Sequence, residues 1–352
     1  MKKLCATELL VRKEEVERCL QRLLQNERGG VSLDLGSELM KLTNNVTCRM
    51  AMSTSCSEKC EDGEKKRKLV KESFELAAKL CFGDVLGPLK ELSFWVYGKK
   101  ALEVSRRYDE LLEEVLKEHE HKRLSVANGN GHCSDEREKD LMDILLDVYH
   151  DAHAEFKITR THIKAFFMDL FIAGTDTSAE AMQWTMGELL NLPEAFRKEI
   201  VLVTGNVRVV EESDVPNMPY LQAVVKETLR LYPPGPVTTR ECRQHCQING
   251  FDVPPKTAVA INLYAIMRDP DSWEDPNEFR PERFLKKQFE DLRDNYDDSK
   301  TMDFNFVPFG AGRRGCPGTI MAFNLMNTTI AALVQCFDWK IGEDGKGEKV
   351  DT

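Results

Sequence analysis

The sequence predicts a mainly helical protein with small β elements. The chain has 352 residues, of which 41% are hydrophobic, so it can bury a large core. Helices are predicted at about 159–192, 219–232 and 319–337, and residues typical of helix ends bound each of them. Because the motifs described below interleave along the chain, we predict one domain over residues 1–352.

The longest predicted helix covers residues 159–192. Thr159 or Thr161 is suited to cap its start, and Pro193 ends it because proline interrupts the helical hydrogen bonds. Residues 166–173 are apolar almost all round, which indicates burial in a large core.

Polar residues occupy the middle of this apolar helix, where residues 173–178 are Ala-Gly-Thr-Asp-Thr-Ser. A buried polar group costs free energy unless it finds a hydrogen-bond partner. The plainest interpretation is that the hydroxyls bond back to carbonyls of the preceding turn while Asp176 reaches solvent. The alternative is that the chemistry of a site requires them there.

The second predicted helix, at 219–232, carries Glu227 and Arg230. Their spacing of three residues places both charges on one face of the helix. Taken alone, this pattern indicates an ordinary surface ion pair, which contributes about 1 kcal/mol at most.

Cys316 follows a glycine-rich, doubly basic turn and precedes the helix predicted at 319–337. Pro317 suits a first helical turn, which would put Cys316 at the helix N-terminus. There the helix dipole favours a thiolate over a thiol, and Arg313 and Arg314 add to this effect. Glycines at 310, 312, 315 and 318 leave room for a broad, flat ligand.

Two other interpretations fit the same loop. Residues 310–315 spell G-x-G-x-x-G, a pattern typical of dinucleotide-binding turns, with Asp338 about twenty residues further on. A Rossmann unit needs further βαβ turns, however, and the remaining chain is short and polar. A buried structural cysteine is the other interpretation, and it leaves the glycines unexplained.

Composition limits the remaining function classes. The net charge of −10 argues against nucleic acid as a partner. Eleven cysteines without a signal peptide favour a reducing compartment over a disulfide framework. A zinc site is a further alternative on loose spacing, with candidate ligands Cys56, Cys60, Cys242, His245 and Cys246.

The cysteine loop fits a longer pattern, F-x-x-G-x-R-x-C-x-G, filled by Phe309, Gly312, Arg314, Cys316 and Gly318. This pattern resembles the haem-binding loop of the cytochrome P450 monooxygenases. The resemblance implies the cytochrome P450 fold, haem b as the cofactor and Cys316 as the axial ligand of its iron. It also implies that Arg314 pairs with a haem propionate and that Phe309 packs near the thiolate.

The polar segment of the central helix resembles the oxygen-activating motif of the same family. In that motif Gly174 lets the helix approach the haem, and Asp176 and Thr177 deliver protons during oxygen activation. The chemistry needs such a relay because the site excludes bulk water.

Two further motifs occur in the order that the family has them. Glu227 and Arg230 resemble its buried ion pair, which the resemblance completes with Arg283. Arg240 matches a second partner of the haem propionates. Residues in the extended segment before it are expected to face substrate: Val237, Thr238 and Thr239.

The resemblance implies a haem-thiolate monooxygenase that oxidises a small apolar substrate with O2. Its electrons would come from NADPH-cytochrome P450 reductase. Residues 231–236 and 309–318 further resemble the plant group that oxidises flavonoids, isoflavonoids and terpenoids, such as flavone synthases and pterocarpan hydroxylases. Full-length relatives are anchored in the endoplasmic reticulum membrane and face the cytosol.

The first residues resemble the middle of a later helix of the family, with Lys2 at a basic position that meets a propionate. We therefore expect a chain that lacks the N-terminal anchor, the first helices and sheet, and the C-terminal hairpin. Such a chain would be cytosolic if expressed as given. The alternative function is a catalytically inactive fragment or an interaction module.

Overall fold

A computed structural model describes residues 2–28, 33–53, 68–69, 72–73, 75–76, 79, 90–127, 139–190, 193–205, 207–285 and 304–340. The mainly helical class predicted from the sequence is confirmed. The chain divides into two compact units, residues 1–179 and 180–352. The single-domain organisation remains a prediction.

The first unit is helical in its described part. Its helices are α1 (Lys2–Arg28), α2 (Leu35–Met52), α3 (Lys90–Ala127), α4 (Leu141–His150) and the first part of α5 (Arg160–Leu190). Small polar side chains hold the helix starts by accepting a backbone N–H: Asp34 before α2, Asp140 before α4 and Thr159 before α5.

The core of the first unit lies between α2, α3, α4 and α5. On α3, buried apolar residues recur at spacings of three and four, which turns one face of the helix inward: Val104, Tyr108, Leu112, Val115 and Leu116. They pack with Met142 and Leu146 of α4 and with Ile163 and Phe167 of α5. Each fully buried side chain of this size contributes about 1.5–3 kcal/mol.

The second unit contains the remainder of α5 and the elements that follow it. These are α6 (Pro193–Thr204), a 3-10 helix (Glu212–Asn217), α7 (Pro219–Leu231), β1 (Val237–Glu241), β2 (Cys246–Ile248), β3 (Phe251–Val253), β4 (Ala258–Asn262), α8 (Leu263–Ile266), α9 (Glu282–Leu285), a 3-10 turn (Gly312–Arg314) and α10 (Thr319–Cys336).

The strands of the second unit form antiparallel pairs. β1 pairs with β4 from Val237 opposite Asn262 to Glu241 opposite Ala258. β2 pairs with β3 through a turn at Asn249 and Gly250, whose φ angles are 50° and 83°. Asn-Gly is the pair that tolerates two left-handed residues in succession, so it selects this tight hairpin.

The last described helix, α10, is apolar along most of its length. Its 18 residues have a mean hydropathy of 1.3, which is sufficient by length and composition to cross a membrane. However, 56% of the helix is buried inside the protein, as it would be in a core helix of a soluble domain.

Candidate functional site

The loop that carries Cys316 folds back on itself. The Cys316 backbone N–H donates to the carbonyl of Phe309 at 2.9 Å, and the Phe309 ring packs on Phe323 of α10 with 5.2 Å between centroids. The Cys316 thiol is free and exposed. The loop therefore leaves the Cys316 sulfur accessible to a ligand.

Pro317 and Cys316 lie further from the start of α10 than the sequence suggested, since Pro317 is outside the first helical turn. The helix begins at Thr319 with Gly318 as its N-cap, so Cys316 lies two residues before the cap. The Thr319 hydroxyl donates to the Cys316 carbonyl at 2.9 Å and so links the loop to the helix. Cys316 therefore lies outside the first turn of the helix, where the dipole acts most strongly.

Glycines shape the loop that carries this sulfur. Gly310 and Gly312 have φ angles of 72° and 70°, a left-handed conformation that other residues rarely adopt, and a Cβ atom at either would meet nothing within 4 Å. A Cβ atom at Gly318 would lie 3.8 Å from Cys316 Sγ, in ordinary van der Waals contact, so Gly318 borders the sulfur. The loop thus leaves room for a flat group against its backbone.

The dinucleotide interpretation of this loop fails in the described residues. Residues 304–311 form turns and not the strand that must precede a Rossmann glycine loop. The described strands pair only in antiparallel fashion.

Arg240 lies next to the cysteine loop. Its Nη2 donates to the carbonyl of Arg314 at 3.4 Å, and its Nη1 donates to Thr238 Oγ1 at 2.6 Å and to the Thr239 carbonyl at 2.8 Å. In the described part of the chain no carboxylate pairs with Arg240, Arg313 or Arg314. This side of the loop therefore offers cationic groups for an anionic ligand.

Strand β1 divides the three residues predicted to face substrate. Side chains alternate along a strand, so Val237 and Thr239 share the more exposed face of β1. Thr238 lies on the other face with Arg240, to which it is hydrogen-bonded. A substrate that contacts Val237 and Thr239 on one face of β1 would therefore not contact Thr238 on the other face.

Glu227, Arg230 and Arg283 lie together. Arg230 donates to both carboxylate oxygens of Glu227 at 2.8 Å, and Arg283 Nε donates to Glu227 Oε1 at 3.0 Å. The backbone N–H of Arg280 adds a hydrogen bond of 2.9 Å to the same oxygen. This is a buried, charge-assisted network and not the surface ion pair that the helix pattern alone suggests.

In the first unit, the hydroxyls of the polar segment of α5 (residues 173–178) differ in their hydrogen bonding. The Thr177 hydroxyl donates to the Ala173 carbonyl at 2.6 Å, the bond to the preceding turn that the sequence suggested. Thr175 is fully buried, and its hydroxyl has no hydrogen-bond partner among the described residues.

Tyr108 of α3 is a neighbour of this segment that sequence reasoning missed. Burial first, and the charge of Asp176 in addition, raise the pKa of its hydroxyl to about 12. The two residues come from different helices, so no spacing rule could have paired them.

Gly174 lies beside Thr47 of α2, and its approach to a haem remains a prediction. A Cβ atom there would meet Thr47 Oγ1 of α2 at 3.4 Å. Lys2 begins α1, and its side chain lies outside the described part of the structure, as do Cys56 and Cys60 of the zinc alternative.

A helical fold with an exposed cysteine in a glycine-rich loop is the arrangement expected of a haem-thiolate protein. Comparison with known proteins identifies the family. The sequence profile of the cytochrome P450 family matches residues 2–352. The chain belongs to the cytochrome P450 family. Members of this family bind haem iron through a cysteine thiolate.

The relatives are plant proteins. Cytochrome P450 705A5 of Arabidopsis thaliana is 45% identical over 97% of this chain and 64% of its own length. The 3,9-dihydroxypterocarpan 6A-monooxygenase of Glycine max is 40% identical over 98% of this chain and 69% of its own length. Beta-amyrin 24-hydroxylase of Glycine max is 40% identical over 100% of this chain and 70% of its own length. The chain thus spans about two thirds of the length of these relatives.

Solved structures agree on the fold. A zebra fish cytochrome P450 in a structure with progesterone matches with a TM-score of 0.72 and 25% identity, over 95% of this chain and 74% of the other. A second structure, with abiraterone, matches with a TM-score of 0.68 and 24% identity over 95% and 71%.

Proposed function

We propose that this chain carries the haem-binding part of a monooxygenase that oxidises a small apolar plant metabolite. One observation carries the proposal: the free, exposed thiol of Cys316 lies in a glycine-lined loop beside Arg240, which has no carboxylate partner in the described residues. A sulfur ligand, open space and uncompensated cations match an iron porphyrin with carboxylate arms.

In this proposal the residues around Cys316 hold the haem, which supplies the chemistry of oxygen activation when bound. Cys316 would hold the iron through its thiolate, and Arg240 and Arg314 would bind the propionates through charge-assisted hydrogen bonds. Gly312 and Gly318 would keep the space for the macrocycle. The roles of Phe309 beside the thiolate and of Lys2 as a further propionate partner rest on the family resemblance.

On α5, Asp176 and Thr177 would deliver protons. Thr177 Oγ1 uses its own proton in the bond to Ala173, so its lone pairs remain able to accept a hydrogen bond from water or a ligand. Gly174 would admit the ligand. The proposed role of the Glu227, Arg230 and Arg283 network is structural, since it fixes α7 to the segment around residues 274–283.

The names of two relatives support a substrate class. Two relatives are named for 3,9-dihydroxypterocarpan and beta-amyrin, which supports a flavonoid, isoflavonoid or terpenoid substrate. Val237 and Thr239 would face it. Electrons would come from NADPH-cytochrome P450 reductase, which we expect at the endoplasmic reticulum membrane as for full-length relatives.

The first experiment tests for the haem. The chain is expressed with haem available, and the spectrum of the reduced, carbon-monoxide-bound protein is recorded. We expect the Soret band of a thiolate-ligated haem, and its loss in Cys316→Ala. Cys336→Ala, which removes another exposed free cysteine, should keep the band. Folded protein without the band would support the alternative of an inactive fragment or interaction module.

The second experiment tests the reaction. The haem-loaded chain is mixed with the reductase, NADPH, O2 and either 3,9-dihydroxypterocarpan or beta-amyrin. We expect a product heavier by one oxygen atom. Thr177→Ala should keep the carbon-monoxide band but form less product per NADPH consumed. Unchanged coupling in that variant would contradict the proton-delivery role.

A further inference from the structure

A pair of cysteines lies outside the candidate haem site, at the exposed edge of the second unit. Cys242 follows β1 and Cys246 begins β2, and their sulfur atoms are 3.6 Å apart. Among the described free cysteines, this is the pair whose sulfur atoms are in contact. Neither residue has a part in the proposed monooxygenase function.

Backbone hydrogen bonds hold the two residues on the same segment of chain. Cys242 donates its N–H to the Thr257 carbonyl at 2.9 Å and accepts from Lys256 N at 2.7 Å. Cys246 is paired with Val253 in the β2–β3 hairpin. Because both backbones are fixed against residues 253–257, the two sulfur atoms meet as a result of the fold.

The two sulfur atoms are in van der Waals contact at 3.6 Å. A disulfide bond is about 2.05 Å long, so they must come about 1.5 Å closer for the bond to form. Cys246 is exposed and Cys242 is partly exposed, so a small oxidant in solution reaches both. His245, which lies between them in sequence, has Nε2 at 3.3 Å from Asp252 Oδ1.

We propose that Cys242 and Cys246 form an oxidant-responsive dithiol that closes to an intrachain disulfide in the presence of hydrogen peroxide. One thiolate attacks the peroxide O–O bond, which gives a sulfenic acid and, after protonation, one water. The second thiol attacks the sulfenic sulfur, forms the S–S bond and releases the second water. Two thiols thus lose two electrons and two protons, and one peroxide becomes two waters.

Hydrogen bonds hold the two sulfur atoms without fixing which of them reacts first. The Cys242 thiol donates to the Gln244 carbonyl at 2.9 Å. In the contact between the two sulfurs, either atom can be the donor. The disulfide would join the end of β1, the strand that carries Arg240, to the start of β2.

Peptide mapping tests this proposal without any need for haem or activity. The purified, reduced full chain is treated with hydrogen peroxide, alkylated with iodoacetamide and digested with trypsin without reductant. Cleavage after Arg240, Arg243 and Lys256 puts the cysteines on separate peptides, 241–243 and 244–256. We expect these peptides to appear joined after peroxide treatment and to separate again after dithiothreitol.

Two variants and one condition complete the test. Cys246→Ser should abolish the joined peptide, whereas Cys336→Ala, a change at another exposed cysteine, should retain it. Joining should also be faster in the folded chain than in urea, because the fold brings the sulfurs together. The proposal is overturned if both cysteines are instead oxidised separately to sulfinic or sulfonic acids, if they pair as readily with other cysteines, or if urea leaves the rate unchanged.

Discussion

Arg230 donates two hydrogen bonds of 2.8 Å to the carboxylate of Glu227, and both side chains are completely buried. The remaining donors of Arg230 reach the carbonyls of Met267, Pro276 and Glu278. A charged pair is stable at such depth because each polar atom has a partner. α7 is thereby joined to the segment that runs from α8 to α9.

Glu227→Gln should lower the free energy of unfolding by about 3–5 kcal/mol, because it leaves the buried cation of Arg230 uncompensated. Urea unfolding followed by circular dichroism measures this change. Glu278→Gln is the matched control, since the side chain of Glu278 is exposed while its backbone carbonyl still accepts from Arg230. A loss below about 1 kcal/mol in Glu227→Gln would show that the network contributes little.

A second buried pair, His119 and Asp140, predicts a dependence of stability on pH. Burial lowers the pKa of His119, but its ring bonds Asp140 at 3.0 Å and the Val115 carbonyl at 2.9 Å, and the net effect is a raised pKa. Burial raises the pKa of Asp140, but the bonds from His119 and from the Asp143 N–H lower it overall. The pair therefore stabilises the fold between about pH 4 and pH 6.5.

The stability due to His119 is complete below its unfolded pKa and is lost as pH rises through its raised folded pKa. We expect the chain to unfold at a lower urea concentration at about pH 9 than at about pH 6. Burial, and after it the charge of Asp140, raise the pKa of the neighbouring Asp143. His119→Gln should remove much of the difference, whereas the exposed His121→Gln should keep it. An equal pH dependence in His119→Gln would contradict this assignment.

Residue spacing predicts which side chains share a face within one helix, but it does not predict contacts between elements that are distant in sequence. The spacing of Glu227 and Arg230 places them on one helix face because a helix repeats every 3.6 residues. Arg283 came only from the family resemblance, since no local rule connects it to α7. The pair of His119 and Asp140 joins α3 to α4 through tertiary packing, which residue spacing does not encode.

Local signals also had limits. Proline favours the first helical turn, but this is a tendency, and Gly318 takes the cap position after Pro317. The Asn-Gly turn at 249–250 is a strong hairpin signal that would have predicted β2 and β3. The alternation of side chains along an extended strand likewise separates Thr238 from Val237 and Thr239 by residue order alone.

Thr175→Val should raise the free energy of unfolding by about 1 kcal/mol. The Thr175 hydroxyl is buried and has no hydrogen-bond partner among the described residues, so its replacement by a methyl group of similar size removes a desolvation cost. Urea unfolding again gives the measurement. Thr185→Val is the matched control on the same helix, because the buried Thr185 hydroxyl does donate to the Ala181 carbonyl, at 2.7 Å. If Thr175→Val destabilised the fold more than Thr185→Val, the premise that the Thr175 hydroxyl lacks a hydrogen-bond partner would be wrong.

The two glycines within α5 allow helix propensity to be separated from cofactor binding. A Cβ atom at Gly187 would meet no atom within 4 Å, so Gly187→Ala should stabilise the chain by about 0.8–1.0 kcal/mol. Gly174→Ala should gain less, because its Cβ would contact Thr47 Oγ1 at 3.4 Å. Urea midpoints measure both changes, and a loss of more than about 1 kcal/mol in Gly174→Ala would contradict the packing argument. If Gly174→Ala kept its stability but lost the thiolate Soret band that Gly187→Ala retains, the glycine at 174 would be required by the haem and not by the packing of α5 on α2.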